Sequence, residues 1–268
     1  MSRALLSILW HTDFMNAGRT ARDRARAELT EEIKTIARRQ LATVGAQGLS
    51  LRAVSRELGM ASSALYRYFP SRDDLLTALI IDAYDALGEA AEAAAVKSGA
   101  PFAAGGWADA EPRDGQAARA PGLWDPLETW VAVFGAVRDW ARANPQQYAL
   151  IYGSPVMGYQ APQTTVQPAA RVPTLMLGLL QQAHAEGRLA TIDDAPEPDG
   201  VLAGQVNVLA GLAPGVPPRV LLRTVIVWTQ LFGMISFELF GQLVGSMDPA
   251  DEFFASATRQ MATFVGIR

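Results

Sequence analysis

The sequence predicts an all-α protein in two parts: a small N-terminal helical domain and a larger helical domain joined to it by a long helix. Three observations lead there. Apolar residues recur at i, i+3 and i+4 along most of the chain, and no stretch alternates with period two for long enough to be a strand. Gly and Pro fall where helices should stop, at Gly59, Pro70, Gly187, Pro196, Pro198 and from Ala213 to Pro218. Charge divides the chain as well. From Arg19 to Asp73 there are 11 Lys/Arg against 6 Asp/Glu, and from Asp74 onward 11 against 20. The first part therefore suits a polyanion, although a plain solvated face has the same composition.

Half of the 268 residues are hydrophobic, enough for a large core. The chain has no cysteine, which excludes disulfides and thiolate metal sites, and its two histidines leave little for a metal or a His-dependent enzyme. No metal and no cofactor are expected.

Residues 1–18 are expected to form a disordered or loosely packed tail. The apolar run from Ala4 to Trp10 is too short for a secretory signal, Met15 is an alternative start, and His11 has no expected role. Residues 19–70 form the first domain. A basic arm, Arg19, Arg22, Arg24 and Arg26, leads into a helix whose stripe is Leu29, Ile33, Ile36, Ala37, Leu41 and Val44, with Thr30 as a possible internal cap. The arm is free to meet phosphates or a minor groove, or it merely lengthens the helix.

Residues 50–69, SLRAVSRELGMASSALYRYF, read as helix, turn, helix. Ser50 is an N-cap, Leu51, Val54 and Leu58 line one face, and Gly59 ends the first helix. Leu65 and Phe69 give the second helix its buried side. Ser62, Ser63, Ala64, Tyr66, Arg67 and Tyr68 then face outward, small residues first, so the helix end can approach base edges and phosphates. A plain helical hairpin is the bland alternative.

Residues 30–76, with Gly45, then Gly48-Leu49-Ser50-Leu51-Arg52-Ala53-Val54, Leu58-Gly59-Met60 and the run from Ala64 to Leu76, ALYRYFPSRDDLL, resemble the DNA-binding domain of the tetracycline-repressor (TetR) family. Ala61 departs from the Ser or Thr usual in the family, and Ser62 is expected to take over as cap. The resemblance implies a DNA-contacting set of Arg52, Ser62, Ser63, Ala64, Tyr66, Arg67, Tyr68 and Arg72, the last touching a phosphate. It also implies a double-stranded DNA operator as partner.

Pro70 stops the recognition helix, and Ser71 to Asp74 cap a new one over residues 71–96, a rod of roughly 39 Å. Residues 97–122, rich in Gly, Ala and Pro, are expected to be a flexible linker, with Trp107 as its oddity. Residues 123–268 form the second domain. Asp125-Pro126 caps a helix carrying Leu127, Trp130, Val131, Phe134, Val137 and Ala141, and Asn144-Pro145 caps a short one through Tyr148 and Ile151. Residues 153–173 are too rich in proline for a helix and should be a long loop, either covering a cavity or meandering on the surface. Helices follow at 174–186, 199–209, 219–243 and 249–265. The uncharged stretch 224–237 is shorter than the ~18–20 residues of a membrane span, so no membrane is expected.

Trp130, Phe134, Tyr148, Tyr152, His184 and Trp228 are candidates to line a pocket for a small hydrophobic or aromatic effector; core filler is the alternative reading of each. Phe232, Gly233, Phe237, Phe240 and Gly241 share a face of one helix, and Phe253, Phe254 and Ala257 of the last. Together they are expected to form a four-helix homodimer interface, where the family dimerises. The run Trp228-Thr229-Gln230-Leu231-Phe232-Gly233 resembles the Trp-His-Gly signature of one branch of the family, with Phe232 in place of its histidine. No phosphate loop, HExxH or GxSxG is present, so neither catalytic residues nor an enzyme are expected. The expectation is a cytoplasmic, ligand-responsive repressor that binds a palindromic operator as a dimer. A DNA-binding dimer governed by a protein partner, or by no small ligand, is the alternative.

Overall fold

Ten α-helices, α1 to α10, build the described residues 3–101 and 124–268 of the computed structural model, with side chains described from Thr20 onward. Among these residues there is no strand, only an isolated antiparallel bridge between Leu189 and Ile267. Two compact units result: Met1–Leu79 with Pro155–Gln160, and Ile80–Ser154 with Ala161–Arg268.

The first unit contains α1 (Arg3–Val44), a 3-10 turn (Ala46–Gly48), α2 (Leu51–Glu57), α3 (Ser62–Leu65) and the first turns of α4 (Arg72–Lys97). Ile33, Ile36, Ala37 and Leu41 of α1 are buried, as are Leu51, Val54, Leu65 and Phe69. Val44, the last residue of the expected stripe, is 56% exposed. Two local expectations change. α1 already runs through residues 3–18, expected as a tail: no proline interrupts it, and Gly18 costs only about 1 kcal/mol in a helix. Thr30 caps nothing; its hydroxyl donates back to the Arg26 carbonyl at 2.8 Å inside the continuous helix.

The boundary of this unit falls at Leu79 rather than at residue 70. Leu75, Leu76 and Leu79 are buried, and the hydroxyls of Thr77 and Tyr159 meet at 2.9 Å, which draws residues 155–160 into the same unit. Ser71 caps α4 as expected: its Oγ accepts from the Asp74 amide at 3.1 Å and donates to the Asp74 carboxylate at 2.7 Å.

The second unit takes α4 from Ile80 and adds α5 (Pro126–Ala143), α6 (Pro145–Tyr152), α7 (Val166–Ala185), α8 (Gly200–Ala210), α9 (Pro218–Leu239) and α10 (Asp251–Phe264). Asp125 accepts from the amides of Leu127 and Glu128 at 2.8 and 3.4 Å, and Pro126 fills the first helical position. Trp130, Phe134, Tyr148, Leu175, Met176, Leu180, Leu231 and Ile235 form the centre of the core. Residues 102–122 of the expected linker, Trp107 included, lie outside the described residues.

Proline content misleads over 153–173, because α7 begins at Val166 and contains both Pro168 and Pro173. Pro168 stands in the first turn, where amides have no intrahelical acceptor. Pro173 is interior and is carried by neighbours buried on both sides, Val172 and Leu175. By length and apolarity α9 could cross a membrane, but half of its apolar window is buried within the unit, as in a core helix.

Candidate nucleic-acid interface

The α2–turn–α3 element is held by short-range ties. Ser50 Oγ accepts from the Ala53 amide at 3.4 Å, and the turn passes through Gly59 at φ +66°, a left-handed conformation that favours glycine. α3 starts at Ser62 with Ala61 as its N-cap, and no side chain caps it. Ser62 therefore does not take over the cap: its Oγ pairs with Ser55 Oγ at 3.0 Å, and Ser55 donates to the Arg52 carbonyl. That hydroxyl pair fixes α3 against α2, while Leu65 and Phe69 anchor the far side in the core.

With those anchors set, Arg52, Ser63, Tyr66 and Arg67 are exposed, and Ser62, Ala64 and Tyr68 are half-buried. Arg72 is engaged inward. Its Nε and Nη2 donate to the carbonyls of Leu49 and Ala46 at 3.2 and 2.7 Å, and its Nη1 to Asp73, so it braces the turn between α1 and α2. Arg26, singled out in the sequence only as part of the basic arm, donates through Nη2 to the Arg67 carbonyl at 3.3 Å, and its guanidinium lies 5.0 Å above the Tyr68 ring.

In the second unit the candidate effector residues split. Trp130, Phe134 and Tyr148 are fully buried, the first two stacked at 4.3 Å. Tyr152 stacks on Phe232 at 3.9 Å, and Trp228 meets the same ring edge-on at 6.4 Å. Tyr148 donates to the Phe232 carbonyl at 2.9 Å and shares a hydrogen bond with Ser236. Burial pushes the Tyr148 phenol up to about 12, against the Ser236 hydrogen bond, and burial with nearby Tyr84 and Tyr148 raises Tyr152 further. Both phenols are neutral at ordinary pH. The Trp228 indole N–H is buried without a partner. His184 is exposed near the end of α7 and does not join this cluster.

The expected interface residues split in the same way. Phe237 and Phe240 are exposed, at 56% and 49%, whereas Phe232 and Phe254 turn inward. Phe232 is held by Tyr152, and Phe254 lies beneath the Arg138 guanidinium at 4.9 Å. Gly233, Phe253 and Ala257 are half-buried, and Gly241, past the end of α9, turns the chain at φ +77°.

Two arginines unremarked in the sequence organise this unit. Arg138, on the apolar stripe of α5, donates through Nε and Nη2 to both oxygens of Glu238 at 2.7 Å and through Nη1 to Asp251 at 2.9 Å. A charged residue among Phe134, Val137 and Ala141 was the signal that could have found it. Arg171 of α7 grips α4 through Glu92 at 2.9 and 2.8 Å and through Asp85 at 2.9 Å. It passes so close to Gly88 that a Cβ there would stand 2.5 Å from its Nε. A cleft of about 120 Å³ beside Arg138, lined also by Arg142, Leu243, Met247 and Asp251, lies apart from the aromatic cluster. Among the described residues no cluster of acids and histidines could hold a metal ion.

A short exposed helix, locked by a tight turn into a unit with a basic surface and followed by a larger helical unit, defines a helix-turn-helix DNA-binding protein. The comparisons agree. Residues 35–79 match the family described as bacterial regulatory proteins, tetR family, and residues 130–261 match the tetracyclin repressor-like C-terminal domain. The HTH-type transcriptional regulator Rv1816 of Mycobacterium tuberculosis and its counterpart Mb1846 of Mycobacterium bovis are each 37% identical over 235 residues, 86% of this chain and 90% of theirs. Among solved structures, the regulatory protein SCO4313 is 31% identical with a TM-score of 0.66, covering 90% of this chain and 98% of its own. A tetR family regulator from Shewanella sp. PV-4, at 18% identity and TM-score 0.53, covers 89% of this chain and 98% of its own and shares the fold. The chain belongs to the TetR family of bacterial transcriptional regulators.

Proposed function

We propose that the protein is a cytoplasmic repressor that binds a palindromic operator as a homodimer and is released by a small hydrophobic or aromatic effector. The observation that carries the DNA reading is α3 with the turn that follows it: anchored by Leu65, Phe69 and the Ser55–Ser62 pair, this segment offers Ser63, Tyr66 and Arg67 to solvent, and α2 exposes Arg52. Two such helices in a dimer meet major-groove faces about 34–36 Å apart on one side of the duplex.

Dimerisation is supported by the outer face of α9, where Ile226, Phe237 and Phe240 are exposed, continued by the half-buried Phe253 and Ala257 of α10. The effector reading rests on the aromatic cluster of Tyr152, Phe232 and Trp228, with a buried indole donor in want of an acceptor. An aromatic ligand carrying an acceptor oxygen would suit it after a local opening. A coupling of ~1–3 kcal/mol between effector and operator changes DNA affinity about five- to 150-fold.

Gel-shift titration with the DNA upstream of the protein's own gene, over a salt series and with excess random competitor, tests this reading. Saturable binding that survives competitor and weakens steeply with salt is expected. Binding no tighter than to random DNA, at this site and at neighbouring promoters, contradicts it.

A further inference from the structure

α8 is an uncharged helix with two apolar sides, and the second unit covers only one of them. Between Asp199 and Arg219 the chain carries no Lys, Arg, Asp or Glu. Ala203, Val206 and Ala210 share the side that is turned into the unit, where α8 packs on α9. Val201, Gln205 and Val208 fall on the opposite side at i, i+4 and i+7, and the two valines are 81% and 71% exposed. Leu202 and Leu212, also exposed, extend this apolar surface at the start of α8 and just past its end. A helix on the outside of a domain turns charged residues to solvent, whereas one that is apolar all round is buried. α8 therefore lacks a partner on its outer side.

A lipid surface does not fit. Helices that lie on membranes carry Lys or Arg on their polar face, but α8 has none and follows Asp193, Asp194, Glu197 and Asp199. At 11 residues it is also too short to span. A second copy of this chain does fit. α9, on which α8 packs, exposes Val225 and Ile226 in the half that follows α8 in the chain, and Phe237 and Phe240 further on. A stable interface takes about 20–30 residues a side, more than one face of a single helix supplies.

We propose that the Val201–Val208 side of α8 docks on the second copy in the dimer and widens the interface beyond α9 and α10. The proposal rests on the dimer reading above and covers a surface which that reading leaves open. With no charge on this side, the contact is held by apolar burial and is insensitive to salt.

The test is subunit exchange in the full-length protein, because affinity changes within one interface appear mostly in the dissociation rate. The chain has no cysteine, so copies carrying donor or acceptor dyes on an introduced Ala42→Cys are mixed, and energy transfer reports the exchange. Val208→Glu should exchange about tenfold faster or more, since each subunit loses one buried valine. Val208→Ile keeps the apolar contact and should exchange as wild type does. So should Val166→Glu, at a comparably exposed valine on α7. Circular dichroism of each variant checks that helix content is retained. Exchange of Val208→Glu at the wild-type rate, or equal acceleration by Val166→Glu, overturns the proposal and leaves the dimer in place. Wild type that sediments with phosphatidylglycerol vesicles, and no longer does so as Val208→Glu, gives the face to lipid and overturns it too. A wild type that is monomeric by light scattering overturns the dimer reading itself.

Discussion

Replacing Arg138 by methionine should destabilise the second unit more than any exposed substitution. The arginine is 7% exposed and forms a parallel two-bond pair with Glu238, whose side chain is 17% exposed. Arg138→Met keeps most of the buried methylene volume but leaves the Glu238 carboxylate with Arg142 alone, at 3.7 Å. Breaking one side of a buried pair costs about 3–5 kcal/mol; the residual exposure of Glu238 and the presence of Arg142 put this case near the lower bound, about 3 kcal/mol. The contact with Asp251, whose side chain is 57% exposed, adds little. Adding Glu238→Leu removes the stranded charge, and the double variant should recover most of the loss, because a buried pair replaced whole by apolar groups is often neutral. Urea unfolding at fixed protomer concentration reads both effects as shifts of the midpoint. Additive losses in the double variant would refute the reasoning, since they would show that Glu238 was not left uncompensated.

Four further outcomes are expected. Tyr66→Ala and Arg67→Ala should each weaken operator binding in a gel shift while light scattering still reports a dimer; unchanged affinity in both removes α3 from the interface. Phe237→Arg, at a 56% exposed position on α9, should abolish the dimer, and a dimeric mass for this variant would displace the interface from that face. Gly59→Ala should cost about 1–2 kcal/mol by urea unfolding, because there is open space for a Cβ but φ is +66°, so the whole effect is backbone strain. The last concerns Asp251, whose carboxyl is held below its ordinary value of 3.8 chiefly by the hydrogen bond from Arg138. A depressed folded value means that its contribution is present above the unfolded value and is lost as pH falls through the folded one. Asp251→Asn should therefore flatten the fall in urea midpoint below about pH 4, and an unchanged acid limb would show that the carboxylate is not engaged.

Much of the fold was legible because its signals are local. Ser50, Gly59, Ser71 and the Asp125-Pro126 pair act within one turn of themselves, and the helix ends they predict lie within a residue or two of those observed. The outward set was legible only in part: with Leu65 and Phe69 buried, Ser63, Tyr66 and Arg67 are exposed, but Ser62, Ala64 and Tyr68 are half-buried, and the helix expected to run up to Pro70 ends at Leu65 in a turn over 66–68. The start of α7 was not, because proline content argues against a helix unless one knows that Pro168 falls in its first turn.

By itself, then, the sequence determined the all-α class, the helix-turn-helix and the charge division, all of which follow from spacing and composition along the chain. Tertiary structure alone decided where side chains distant in sequence meet. α9 is apolar around most of its circumference, so its periodicity could not say that Phe232 turns inward onto Tyr152 while Phe237 and Phe240 stay outside. Nor could any local pattern pair Arg26 with Tyr68, Arg171 with Glu92 or Arg138 with Glu238. Those partners are 42 to 100 residues apart in the chain, and only the packing of whole helices brings them within reach of a hydrogen bond or a ring.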